Sequence, residues 1–211
     1  MPNIALIGDS VLDNKAYTDG KPDVSGHLRA LLPGEDSTVT LLAVDGTTTH
    51  DVGAQIVDFP QAATHVVLSL GGNDAMDNAD LLDMEVESTG AALDIFAKRV
   101  ASFEAAYKSV VASLVAQGRP LTVCTIYNAD LDPAEATRAR VALMMFNDVI
   151  LREAFSRGLN VVDLRLVCTE PADFERRIEP SVLGGLKIAR AIAGALGFAK
   201  REAAATLVTA G

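Results

Sequence analysis

The sequence predicts a three-layer α/β/α sandwich: a five-stranded parallel sheet in the order 2-1-3-4-5, covered by helices on both faces. Two observations predict it. Five short runs are apolar throughout rather than in alternation, as strands buried on both faces are, and helical segments separate them. The first three runs also break off into glycine and small polar residues, as strand ends facing a ligand crevice do. Right-handed crossovers leave few ways to wind five such strands, and the usual winding puts its switch point between the first and third.

The first strand is Asn3-Ile4-Ala5-Leu6-Ile7-Gly8, which stops at Asp9-Ser10. A helix is predicted over Val24 to Leu32, halted by Pro33-Gly34, and a β-branched second strand over Thr38 to Val44. Asp45-Gly46-Thr47-Thr48-Thr49 follows, where the hydroxyls and Asp51 offer N-cap chemistry for a short helix ending before Pro60. Thr64 to Leu70 is the third strand and runs into Gly71-Gly72-Asn73-Asp74. From Gly90, the residues Leu93, Phe96, Val100, Phe103, Tyr107, Val110 and Leu114 recur three and four apart, one apolar stripe on a long helix that Gly118-Arg119-Pro120 ends. Leu121 to Tyr127 is the fourth strand, a helix spans about Pro133 to Arg157, and Leu159 to Leu164 is the fifth strand. Pro180 stands where a first helical position is expected, opening a last helix that runs to about Leu196. Residues 1–200 read as a single domain and 201–211 as a loose tail.

The 211 residues are 49% hydrophobic and 22% charged, the composition of a globular protein with a substantial core. A formal charge of -10 leaves no basic stripe for phosphates, so nucleic acid and anionic membranes are poor partners and a small molecule is the better one. The apolar runs are far too short to cross a bilayer, and no secretion signal is visible. Two cysteines, Cys124 in a strand and Cys168 in a loop, read as reduced thiols in a cytoplasmic protein.

Three polar clusters converge on one rim of this sheet: Gly8-Asp9-Ser10, Gly46, and Gly71-Gly72-Asn73-Asp74. Acyl transfer needs a nucleophile and hydrogen-bond donors aimed at the developing oxyanion. The Ser10 hydroxyl supplies the first, and the N–H groups of Ser10 and Gly46 with the Asn73 amide supply the second. The alternative is that Ser10 merely caps a turn.

In these blocks the sequence resembles the SGNH hydrolases, or GDSL-type esterases and lipases. Gly8-Asp9-Ser10 matches their nucleophile block, Gly46 their glycine block and Gly71-Gly72-Asn73-Asp74 their asparagine block, in order and over nearly the whole chain. The resemblance implies a flavodoxin-like order of strands, hydrolysis of a small acyl or sugar ester, and no cofactor.

The last block departs from the pattern. Where the family usually carries Asp-x-x-His before its final helix, this chain has Arg176-Arg177-Ile178-Glu179, so Glu179 takes the histidine position and Arg176 the aspartate position. A carboxylate near pKa 4.3 is a weaker base than an imidazole near 6.5, a loss of roughly 3 kcal/mol of driving force unless burial raises the carboxyl. Glu179 is therefore either the general base or a cap of the final helix. Arg176 or Arg177 is available to replace the imidazolium's charge. Of the histidines, His27 and His65 read as packing or surface residues, and His50, just past Gly46, is the one substitute base. Two rival readings stay open: a catalytically silent ligand-binding member of the fold, and metal-assisted (phospho)ester hydrolysis by the rim acids Asp9, Asp13, Asp45, Asp51, Asp74, Asp77 and Glu179.

Overall fold

A computed structural model describes residues 1–199; the predicted tail, 201–211, lies outside the described residues. Five parallel strands form the central sheet: β1 (Asn3–Gly8), β2 (Thr38–Leu41), β3 (His65–Ser69), β4 (Leu121–Cys124) and β5 (Asn160–Val162). Their order is β2-β1-β3-β4-β5, as the sequence predicts. The helices are α1 (Val24–Leu31), α2 (Gly53–Val57), α3 (Gly72–Met76), α4 (Thr89–Val115), α5 (Pro133–Ser156), α6 (Leu164–Val167) and α7 (Val182–Ala195). A two-stranded antiparallel ribbon, β6 (Phe174–Glu175) and β7 (Glu179–Pro180), precedes α7.

Continuous apolarity in β1 has a direct structural counterpart. Ile4 and Leu6 pack into a core with Val24, Leu28 and Ile188 of α1 and α7, whereas Ala5 and Ile7 pack into another with Tyr107, Val111 and Ile150 of α4 and α5. One strand thus joins two cores, and neither face of it reaches water.

Several boundaries differ from the sequence reading. β2 ends at Leu41 rather than Val44, because the Leu42 and Ala43 N–H groups both turn onto the Leu6 carbonyl (2.8 and 2.9 Å) and break the ladder. The short α2 has Val52 at its N-cap with no side-chain cap, since Asp51 accepts from Thr48 instead. The last helix begins at Val182, not Pro180: Ser181 is the cap, its hydroxyl accepting from Gly184 N–H at 3.2 Å. Glu179 therefore does not cap α7 and sits in the β6–β7 ribbon. Of the stripe on α4, Phe103, Tyr107, Val110 and Leu114 are buried, but Phe96 and Val100 only partly, and Leu93 is 58% exposed.

The carboxyl end of β1 is held by a backbone approach that only glycine permits. A β-carbon at Gly8 would stand 1.7 Å from the Ser69 carbonyl oxygen, and Gly8 has φ +133°. Gly8→Ala must therefore pull β1 from β3. Gly118 also has positive φ (+69°), but nothing lies within 4 Å of its would-be β-carbon. Denaturant unfolding is expected to show a loss of at least about 3 kcal/mol, or no folded protein, for Gly8→Ala, against roughly 1 kcal/mol for Gly118→Ala. Equal losses would mean the close approach carries no weight.

Candidate active site

Ser10 begins the turn after β1 and is 8% exposed. That turn is set by the Asp9 carbonyl, which accepts from the Leu12 and Asp13 N–H groups (both 3.1 Å), and by the Asp9 N–H, which donates to the Ser69 carbonyl (3.1 Å). Gln55 completes the end of the strand: its side chain accepts from Gly8 N–H (2.8 Å) and donates to the Gly8 carbonyl (2.9 Å), as a neighbouring strand would. The same amide donates to Thr47 Oγ1 at 3.1 Å, tying the turn that carries Gly46 to β1.

Gly46 occupies that turn at φ +82°, closed by Thr47 N–H donating to the Val44 carbonyl (3.2 Å). Asn73 stands in the first turn of α3, and its Nδ2 donates to the Thr47 carbonyl at 2.9 Å. The glycine and asparagine blocks are thus joined by one hydrogen bond. Neither the Ser10 N–H nor the Gly46 N–H has a protein acceptor among the described residues. Unpaired N–H groups beside a hydroxyl are what an oxyanion would need.

Glu179 faces this cluster from the ribbon. Its carboxyl pKa is raised, first by burial and also by the charge of Asp45, while hydrogen bonding with the Ser10 hydroxyl and the charge of Arg176 partly offset the rise. Its Oε2 is buried with no hydrogen-bond partner. The backbone on either side of Glu179 is clamped by buried side chains: Tyr127 Oη donates to the Ile178 carbonyl (2.6 Å), and Asn14 Nδ2 donates to the Pro180 carbonyl (3.0 Å). Asn14 Oδ1 also accepts from Val24 N–H at 2.9 Å, so one fully buried amide links the loop after β1, α1 and the ribbon.

Arg176 and Arg177 turn the ribbon with φ of +48° and +72°, which costs a non-glycine residue about 1 kcal/mol or more each. Arg176 lies over the Tyr17 ring (5.4 Å to its centroid), and Tyr17 Oη donates to Asp45 at 2.6 Å. Arg177 turns away to Asp132 and Glu135 (3.2 and 3.0 Å). Only Arg176 is left to act electrostatically on Glu179.

Asp9 is buried directly behind the Ser10 turn, where its Oδ1 accepts from Val11 N–H (3.2 Å) and Ser69 Oγ (3.3 Å). Burial pushes its carboxyl up to about 7, and the charge of Glu179 adds to the rise. The other rim acids disperse. Asp74 binds Thr49, Asp51 binds Thr48, and Asp13 accepts from Asp45 N–H. Among the described residues no group of three or more His, Cys, Asp or Glu is arranged to hold a metal ion. His50 is exposed and outside the cavity that Ser10 and Glu179 line, whereas His65 packs edge-on against Phe198 (5.2 Å). Cys124 and Cys168 are buried and unpaired, and burial raises both thiols, Cys168 to about 12.

Gln55, Asn14, Tyr127 and the raised carboxyl of Asp9 escaped the sequence reading; no local signal marks the first two, whose partners are distant in the chain.

Comparison with solved structures gives the same architecture. An extracellular lipase from Streptomyces rimosus aligns with TM-score 0.70 at 16% identity, covering 92% of this chain and 100% of that one. LAE5, an α/β hydrolase from the metagenome of Lake Arreo, aligns with TM-score 0.69 at 21% identity over 95% and 97% of the two chains. The acetylxylan esterase Axe2 from Geobacillus stearothermophilus gives 0.67 at 20% over 94% and 96%. No curated protein sequence matches the chain. At such identities these likenesses speak for the fold alone, but a family model matches residues 6–182, and on that span the chain belongs to the GDSL-like lipase/acylhydrolase family.

Proposed function

We propose that this protein is a serine esterase that cleaves small carboxylic esters through Ser10, with Glu179 in place of the usual histidine. The observation that carries the reading is that Ser10 lines one cavity with Glu179, a largely buried carboxylate whose pKa is raised. Burial moves Glu179 in the direction that recovers part of the basicity lost with the imidazole. In the proposed cycle Ser10 Oγ attacks the ester carbonyl while its proton passes to Glu179. The carbonyl oxygen takes the negative charge, facing Ser10 N–H, Gly46 N–H and Asn73 Nδ2. Collapse expels the alcohol, which takes the proton from Glu179, leaving an acyl-serine. Water then repeats the sequence, giving its proton to Glu179 and releasing the acid and Ser10. A neutral glutamic acid carries no positive charge toward the oxyanion, and Arg176 is the cation placed to supply part of it.

Asp9 belongs to the same electrostatic unit. With Glu179 ionised, a protonated Asp9 leaves one negative charge behind the nucleophile rather than two, and a second would oppose the oxyanion. The two unpaired, buried cysteines support a reducing compartment, the cytoplasm. Among the described residues no helix is long and apolar enough to cross a membrane.

Ser10→Ala is expected to abolish hydrolysis of p-nitrophenyl butyrate and labelling by a fluorophosphonate, and Glu179→Gln to lower kcat at least 100-fold while leaving the fold intact by circular dichroism. A wild-type protein that neither labels nor turns over would instead be a silent ligand-binding member of the family. Full activity in Glu179→Gln would remove the base assignment.

The pH dependence follows from the two carboxyls. Glu179 must be ionised, so kcat/KM should rise with pH through an apparent pKa above that of an ordinary glutamate, then fall beyond about 7 as Asp9 loses its proton. Asp9→Asn should remove the alkaline fall. Because the Asp9 carboxyl is raised from 3.8 to about 7, the folded chain holds the extra proton between those values, and stability is lost as pH rises through the window. Melting temperatures should therefore show Asp9→Asn gaining more over wild type at pH 8 than at pH 5. An equal effect at both would rule out the buried proton.

A further inference from the structure

The two helices on one face of the sheet are far longer than the strands they cover. At 27 and 24 residues, α4 and α5 run about 40 and 36 Å. The four residues of β4 span only about 13 Å. Their fully buried residues lie in the C-terminal halves, Phe103 to Leu114 and Phe146 to Ala154. Each helix returns from the carboxyl rim of a parallel sheet to the start of the next strand, so the two run side by side and their N-terminal halves overhang the rim where Ser10 stands.

Between the overhanging halves lies a cavity of about 350 Å³ that opens at Ser10, Asn73 and Glu179. Its floor is Phe146, backed by the buried Phe103 with ring centroids 5.0 Å apart. Beyond that floor the walls are Met76, Leu82, Phe96, Ile126, Ala142 and Leu143. Glu135 is the one charged side chain on the wall away from Asp9 and Glu179, and it is paired with Arg177. Phe96, the partly covered member of the α4 stripe, thus faces this space.

We infer that this space takes the acyl group of the substrate, and that the group is a medium-length alkyl chain rather than acetyl. The inference rests on the esterase reading and names its substrate class. Opposite the apolar cavity, Tyr17, Asp45 and Arg176 make a charged surface beside Glu179, suited to a polar alcohol rather than to hydrocarbon. Ala139 and Phe146, both lining the cavity, are seven residues apart, about 10 Å along α5. A zigzag of C–C bonds of about 1.5 Å advances about 1.25 Å per carbon, so that distance holds roughly eight carbons.

Hydrolysis of p-nitrophenyl esters from acetate to dodecanoate reads the cavity directly. kcat/KM should climb about threefold to fourfold per methylene up to octanoate and then level off. Ala142→Phe, which fills the cavity between the helices, should cut the octanoate-to-acetate ratio at least tenfold. Should that variant fail to fold, Leu143→Ala, which widens the cavity, should move the optimum to longer chains. A flat or falling series, or ratios indifferent to a folded wall variant, would overturn the inference.

Calorimetry on Ser10→Ala, which needs no turnover, separates the two readings. Octanoate should bind at least tenfold more tightly than butyrate. Binding without esterase activity in the wild type would keep the cavity assignment and sink the esterase. Acetate ester hydrolysis with no octanoate bound or processed would do the reverse.

Discussion

Everything at the rim depends on how closely β1 and β3 approach at Gly8. The Ser69 carbonyl occupies the place where any other residue at position 8 would carry its β-carbon, and it accepts the Asp9 N–H from the same side. That contact brings Ser10 and Asn73, which follow neighbouring strands, to one crevice at the switch point of the sheet. On the other side Gln55 takes up the Gly8 N–H and shares the Gly8 carbonyl with the Val44 N–H from the chain past β2. The proposed nucleophile therefore stands on rigid backbone, supported from both sides, rather than on a mobile loop.

The same closeness explains the electrostatics. Asp9 and Glu179 are carboxyls raised first by burial, and the charge of Glu179 adds to the rise at Asp9, so ionising both is costly there. In the proposed cycle one proton is held between them, and the ordering matters: Asp9 is wholly buried, whereas Glu179 is partly exposed and lines the same cavity as Ser10. That reading puts the proton on the deeper group, whose carboxyl is raised to about 7, and leaves the outer one to accept another.

How much of this the sequence carried depended on the range of the interaction. Continuous apolarity in Ile4-Ala5-Leu6-Ile7 was enough to predict a strand buried on both faces, and five such runs were enough for the order of the sheet. Ser10, Gly46 and Asn73 were legible because each follows a strand end, where position in the chain and position in space coincide. The cap alternative for Glu179 arose because Pro180 suggested a helical start, whereas Ser181 is the cap and a two-residue pairing with Phe174–Glu175 holds Glu179. Gln55 and Asn14 left no local trace, since their partners lie 47 and 166 residues away at Gly8 and Pro180. Periodicity predicted the α4 stripe correctly as one face, but it could not reveal that the sheet ends halfway along it.

Loss of the usual aspartate at position 176 removes the group that orients a histidine, yet Glu179 needs less orienting than an imidazole. A carboxylate accepts a proton on either of two oxygens, whereas a histidine must present one particular ring nitrogen in one tautomer. What a glutamate does need is a fixed backbone, because its longer side chain has more freedom to lose. The clamp supplies this: Tyr127 on the Ile178 carbonyl and Asn14 on the Pro180 carbonyl hold the chain on both sides of residue 179. Arginine at position 176 then makes sense in place of aspartate. An acid there would place another negative charge beside Glu179, Asp45 and Asp9, raising the base toward permanent protonation. The cation over Tyr17 instead offsets part of the rise that burial and the Asp45 charge impose on the Glu179 carboxyl.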